Sequence, residues 1–123
     1  MNVTYWILQG LLAAVMTMAG AMKASQGKDK LSADPKMAWV EDFSDGTVRG
    51  IGLLEVAGAA GLILPWALDI APVLTPIAAV GVAVLMAGAA ITHLRRGETA
   101  ATVPPLVLGA IAVVIAIGRF AGL

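Results

Sequence analysis

Apolar residues run in four long blocks, Val3–Met22, Thr47–Leu64, Pro72–Leu94 and Val103–Ala121, and the segments between them hold nearly all of the charge. Each block is about 20 residues, enough for a helix rising 1.5 Å per residue to cross a hydrocarbon core of about 30 Å. Backbone inside lipid must satisfy its own hydrogen bonds, so only helices or closed barrels cross. Barrel strands would alternate in segments of about ten residues, and these blocks do not alternate. The pattern therefore predicts an all-α integral membrane four-helix bundle, one domain over residues 1–123, with helices at about 3–22, 47–64, 72–94 and 103–121. The first block ends in small residues, Ala19-Gly20-Ala21, as a signal peptide can. No Lys or Arg precedes it, and its apolar stretch is too long for that role, so it is read as a span.

Composition agrees. The 123 residues are 59% hydrophobic and 13% charged, with a mean hydropathy of +0.90, whereas water-soluble domains carry about 25% charged residues. The net charge is zero, but its distribution is informative. Lys23, Lys28, Lys30, Lys36 and Arg49 lie in or beside the first connection, and Arg95 and Arg96 lie in the third. Only Arg119 falls on the other side. By the positive-inside rule the first and third connections face the cytoplasm. The expected location is the inner (plasma) membrane, multi-pass, with the N- and C-termini outside. Tyr5, Trp6, Trp66 and Phe120 fit as outer interfacial aromatics, and Arg119 reads as an anchor that snorkels to the outer headgroups.

The first connection is the one long connection. Asp34-Pro35 reads as an N-cap followed by proline at the first helical position, and Gly46 as a stop. Between them Met37, Trp39, Val40 and Phe43 share one side, and Glu41, Asp42 and Asp45 the other. This predicts a short amphipathic helix at the interface. Its polar face is acidic, which suits a lid over the bundle, or a partner surface, better than anionic lipid. Met37, Trp39 and Phe43 are its candidate contacts.

Lipid tails give no hydrophobic drive for helix association, so close backbone approach at small residues must supply it. Gly52, Gly58 and Gly61 are candidate packing positions in the second helix. Gly10 in the first and Gly81 and Gly88 in the third mark further small-residue stripes.

One residue inside a span carries chemistry. Glu55 lies eight residues into the second block, about 12 Å from its start. A charge at that depth costs on the order of 2.5–3.5 kcal/mol on insertion scales, so the carboxyl needs a partner inside the bundle. Lys23, at the end of the first block, and His93, near the end of the third, lie on the same side of the membrane. We expect Lys23, Glu55 and His93 to form a polar cluster with Arg49 at its rim. Two readings of Glu55 stand: a carboxyl that ties helices together, and one that binds a ligand or a proton. His93 with Arg95 and Arg96 also complements a helix C-terminus.

Other chemistry is missing from the sequence. With no cysteine, thiol redox and thiolate metal sites are excluded for this chain, and one histidine gives no metal-ligand pair. No phosphate loop, nucleophile elbow or basic nucleic-acid surface is present.

The stretch from Arg49 through Gly52, Glu55, Gly58, Ala59 and Gly61 to Leu64-Pro65 resembles the second helix of the DoxX-like membrane proteins. Gly20 with Lys23, Met37-Ala38-Trp39-Val40, and His93 with Arg96-Gly97-Glu98 resemble the same family. The resemblance implies a four-helix membrane protein. Its namesakes resemble subunits of a thiosulfate–quinone oxidoreductase, and other members associate with membrane redox enzymes. The implied function is an accessory subunit of a membrane complex, with a quinone-linked redox complex as the candidate, and a small polar pocket around Glu55 facing lipid or quinone. No cofactor is intrinsic, and quinone or lipid is the candidate occupant. The expected partners are the bilayer and a homo-oligomer or membrane complex, with no nucleic acid. The alternative is a small proton-coupled transporter using Glu55. A stand-alone enzyme has the least support, since Glu55 and His93 form one acid–base pair without a nucleophile.

Overall fold

The computed structural model describes residues 3–123. It is all-helical, with α1 (Val3–Leu31), a 3₁₀ segment (Pro35–Asp42), α2 (Asp45–Leu68), α3 (Leu74–Arg95) and α4 (Thr99–Phe120). The four long helices are each long and apolar enough to cross a membrane. α1 packs along α2 and α3 along α4, and the α2–α3 contact joins the two hairpins into a bundle. The first and third connections emerge at one end, called here the connection end. The start of α1, the end of α4 and the 69–73 turn share the other, terminal end.

Leu12, Met16, Ala59, Leu62, Val82, Met86, Ala112 and Ile115 form the core. Many large apolar side chains, among them Leu53, Leu54, Val84 and Ile117, point outward. A water-soluble bundle would not leave such a surface uncovered, whereas lipid solvates it.

Glycines set the α1–α2 spacing at one place. A Cβ on Gly20 would lie 2.5 Å from the Gly52 carbonyl oxygen, and one on Gly52 would lie 2.5 Å from that of Gly20. Gly58 and Gly61 face α3, where an added Cβ would meet Val82 at 3.1 Å and Ala78 at 2.7 Å. Gly10, Gly81 and Gly88 have open space instead, so no helix approaches closely at those three positions.

The spans are longer than hydropathy alone predicts. α1 runs on through polar residues to Leu31, interrupted at Gly27, whose φ of 71° leaves the helical region. The groups freed there are satisfied from α2: Arg49 donates to the Ala24 carbonyl at 2.7 Å, and the Lys28 N–H donates to Asp45 at 2.8 Å. α2 begins before Thr47 because Ser44 caps it, accepting from the Thr47 N–H at 3.1 Å. Gly46 is therefore in the first turn of α2 and is not a stop. α2 also continues through Pro65 to Leu68, ending at Asp69 in the left-handed conformation (φ 52°). α4 starts at Thr99, so Pro104 and Pro105 lie inside it.

The short helix expected after Asp34 is present, as a 3₁₀ helix of eight residues. Asp34 does cap it, accepting from the Lys36 N–H at 2.9 Å. Val40 is fully buried against Leu31 and Val48, with Met37, Trp39 and Phe43 packed around them. The Trp39 and Phe43 rings meet edge to face at 5.8 Å. The segment lies over the connection end of the bundle as a lid.

Candidate functional site

Under the lid, between the two hairpins, is a cavity of 460 Å³. Its walls come from α1 (Val15, Met16, Ala19, Met22, Lys23), the lid (Met37, Trp39, Phe43), α2 (Ile51, Glu55), α3 (Val84 to His93) and α4 (Pro104, Pro105, Leu108). Most are apolar. The ionisable side chains in the lining are Lys23, Glu55 and His93.

Lys23 Nζ donates to Glu55 Oε1 at 2.7 Å. Glu55 is 2% exposed and Lys23 is 12% exposed. The ammonium also lies 5.7 Å from the centre of the Trp39 ring, an arrangement in which the ring face attracts the cation. Helix spacing explains the pair. α1 and α2 run antiparallel, so Gly20 lies opposite Glu55 and Gly52 opposite Lys23, and the close approach these glycines allow lets the lysine reach across the contact to the carboxylate.

His93 lines the same cavity, but its partner is Glu98, with Nδ1 2.7 Å from Oε1. Glu98 is also held by Arg96 Nε at 3.2 Å, and Arg96 Nη1 donates to Asp42 on the lid at 2.9 Å. Arg96 thus ties the lid to the α3–α4 connection. The hydrogen bond from His93, with help from Arg96, holds the Glu98 carboxyl below its usual range against a smaller opposing effect of burial. Asp42 first and Glu98 second raise Arg96 above the ordinary guanidinium value.

The structure therefore brings Lys23, Glu55 and His93 to one cavity and sets Met37, Trp39 and Phe43 against it. Arg49 is not at its rim. It pairs with Asp45 at 3.1 Å and splints the Gly27 break, because an α2 side chain six residues before Glu55 points some 120° away from it.

A second polar group at the terminal end went unnoticed in the sequence. Gln9 is fully buried in α1, donating to the Leu62 carbonyl at 2.6 Å and accepting from Arg119 Nε at 2.6 Å. Arg119 is 4% exposed, so it does not snorkel. Its guanidinium carbon is 4.4 Å from the Trp66 ring centre and 5.4 Å from those of Tyr5 and Trp6. Nη1 donates to the Leu123 backbone oxygen, and the buried Nη2 has no hydrogen-bond partner among the described residues. The Tyr5 ring occupies the space a side chain at position 118 would need, which Gly118 leaves free. Three of the aromatics expected at the outer interface, Tyr5, Trp6 and Trp66, enclose a cation. The signal for Gln9 was its place in the stripe Gln9, Leu12, Ala13, Met16, Gly20, which has helical spacing and is buried throughout.

Among the described residues no three of His, Cys, Asp and Glu converge as metal ligands. The molecule is a small multi-pass membrane bundle with a mostly apolar cavity at its connection end that the Lys23–Glu55 pair lines. The sequence matches the DoxX-like family over residues 7–115, and the chain belongs to that family. No curated protein and no solved structure matches it.

Proposed function

We propose that this protein is an accessory subunit of a membrane complex, and that its cavity holds the polar end of a membrane-dissolved amphiphile, a lipid or a quinone. The observation that carries this reading is a 460 Å³ apolar cavity with one ion pair in its wall. Pockets for small molecules are of this size, about 300–1,000 Å³, mostly apolar with a few placed polar groups. Lys23 already has Glu55 as its counter-ion, so the wall carries little net charge and suits a neutral or weakly polar head with hydrogen-bond acceptors. The seven basic residues of the connection end support its placement on the cytoplasmic face of the plasma membrane, with both termini outside.

The test is purification in a mild detergent, with lipids, quinones and co-purifying proteins identified by mass spectrometry. A bound amphiphile and a recurrent membrane partner are expected. Isolation of the bare chain alone would refute the reading. Transport coupled to Glu55 has less support, because each cycle would have to break its 2.7 Å bond to Lys23. Proton-coupled uptake in proteoliposomes that is lost in Glu55→Gln would reverse that judgement.

A further inference from the structure

The cavity is bounded differently on its two open sides. Towards the connection end it meets Met37, Trp39 and Phe43 of the lid, which Arg96 fastens through Asp42. Towards the flank its lining runs out onto the surface of the bundle. Of the lining residues, Val15 of α1 is 40% exposed and Val84 of α3 is 66% exposed, and Pro104 of α4 is exposed as well. All three are apolar and belong to spans, so the surface they open on is the one lipid covers.

The α1–α4 seam explains why the opening is there. Near the terminal end the two helices are pinned together by the Arg119–Gln9 hydrogen bond and by Tyr5 against Gly118. Towards the connection end their facing residues, Val15 and Ala19 on α1 and Pro104 and Leu108 on α4, line the cavity. Pro104 and Pro105 have no N–H, so the carbonyls of Ala100 and Ala101 lose their helical donors, and α4 is least stiff beside the opening.

We infer that the cavity admits its occupant sideways from the bilayer, through the mouth between Val15, Val84 and Pro104, and not from water through the lid. This rests on the amphiphile reading above and narrows it. A molecule taking this path meets only apolar groups until its head reaches Lys23 and Glu55, so a hydrated ion is excluded and a bilayer-dissolved amphiphile is selected. Volume agrees. At roughly 30 Å³ per water, the cavity has room for about fifteen water volumes, a head and the first carbons of a chain. The rest of the chain must lie in the mouth, where the surface is already lipid-facing.

The test uses the full chain in liposomes with a phospholipid that carries a diazirine on its acyl chain. This probe cannot leave the membrane. After illumination, peptide mass spectrometry should find adducts on Met16 and Met86, which are buried in the cavity wall, as well as on Met18, which is 75% exposed on the outer face of α1. The double variant Val15→Phe/Val84→Phe changes two exposed positions and should lose the Met16 and Met86 adducts while keeping that on Met18. A second arm uses the absence of native cysteine. In Ala89→Cys, a charged, membrane-impermeant thiol reagent should react only after Trp39→Ala opens the lid. Adducts confined to Met18, or cavity adducts that the double variant leaves unchanged, would overturn the lateral path. If the charged reagent reaches Cys at position 89 under an intact lid while the lipid probe does not, access is from water and the amphiphile reading survives. If the lipid probe stays outside and purified protein also retains no amphiphile, both fall.

Discussion

Replacing Lys23 with methionine leaves a carboxylate that is 2% exposed, inside a span, without its cation. Removing one partner of a buried ion pair costs about 3–5 kcal/mol. Lys23 keeps 12% exposure, which places the variant near the lower bound, at about 3 kcal/mol. Loss of the contact with Trp39, worth about 0.5–1 kcal/mol, acts in the same direction. Glu55→Leu should cost less, about 2 kcal/mol, because the long lysine stem can carry its freed ammonium toward water. The double variant replaces the pair with apolar side chains of similar bulk, a change that is often close to neutral. It should therefore be more stable than the Lys23→Met single, with a coupling of at least about 2 kcal/mol between the two sites. Reversible unfolding in mixed bicelles, followed by tryptophan fluorescence, measures all four corners of the cycle. Single costs that add within about 0.5 kcal/mol would refute the argument, since the pair would then contribute nothing despite its 2.7 Å bond.

Gly20→Ala and Gly52→Ala should each destabilise by about 1–3 kcal/mol in the same unfolding assay, since the new Cβ meets backbone across the α1–α2 contact, while Gly10→Ala should change stability little; equal effects at all three positions would contradict the packing described. Gln9→Leu strands Arg119 Nε and removes the second donor to the Leu62 carbonyl and should cost about 1–3 kcal/mol. Arg119→Lys should not restore stability, because an ammonium cannot reproduce a planar group held between rings. For the lid, the sign follows from Glu98, whose carboxyl is held below its usual range. Its contribution is fully present above about pH 4.5, the ordinary carboxylate region, and is lost as pH falls through the lowered value. Thiol labelling of Ala89→Cys, taken relative to a free thiol at the same pH because the thiolate is the reacting form, should therefore stay slow from pH 8 to pH 5 and quicken only under stronger acid; relative acceleration between pH 7 and pH 6 would contradict the Glu98–Arg96 clamp.

The four spans were legible because lipid permits so few backbone solutions that length and hydropathy are nearly sufficient. Glu55 was legible for a related reason. A carboxylate in a span needs a partner, and Lys23 was a basic side chain at the right depth on the neighbouring helix. The Arg119 cage was not, since an arginine close to the end of the last span reads as a snorkelling anchor. Its three rings come from positions 5, 6 and 66, which no local spacing connects. The lid was half legible. Asp34, Pro35 and the apolar side were visible, but over eight residues a period of 3.0 cannot be told from 3.6, and Val40 as its buried anchor depends on packing against Leu31 and Val48. Arg96 read as a cation at a helix C-terminus and Asp42 as part of the acidic face of the connection, and their network with Glu98 depends on the lid lying across the α3–α4 connection. Arg49 was expected at the rim of the cluster because it lies at the same end of the bundle, whereas its position on the helix turns it toward the break at Gly27.

The claim that the Lys23–Glu55 cavity holds a membrane amphiphile is tested most directly by native mass spectrometry of the protein released from lipid nanodiscs. It should be run beside Ala89→Phe, which fills part of the cavity without touching the ion pair. The account predicts a stoichiometric amphiphile on the unaltered chain that is lost in Ala89→Phe. An unaltered chain that emerges bare, or a bound molecule that Ala89→Phe retains equally well, would contradict it.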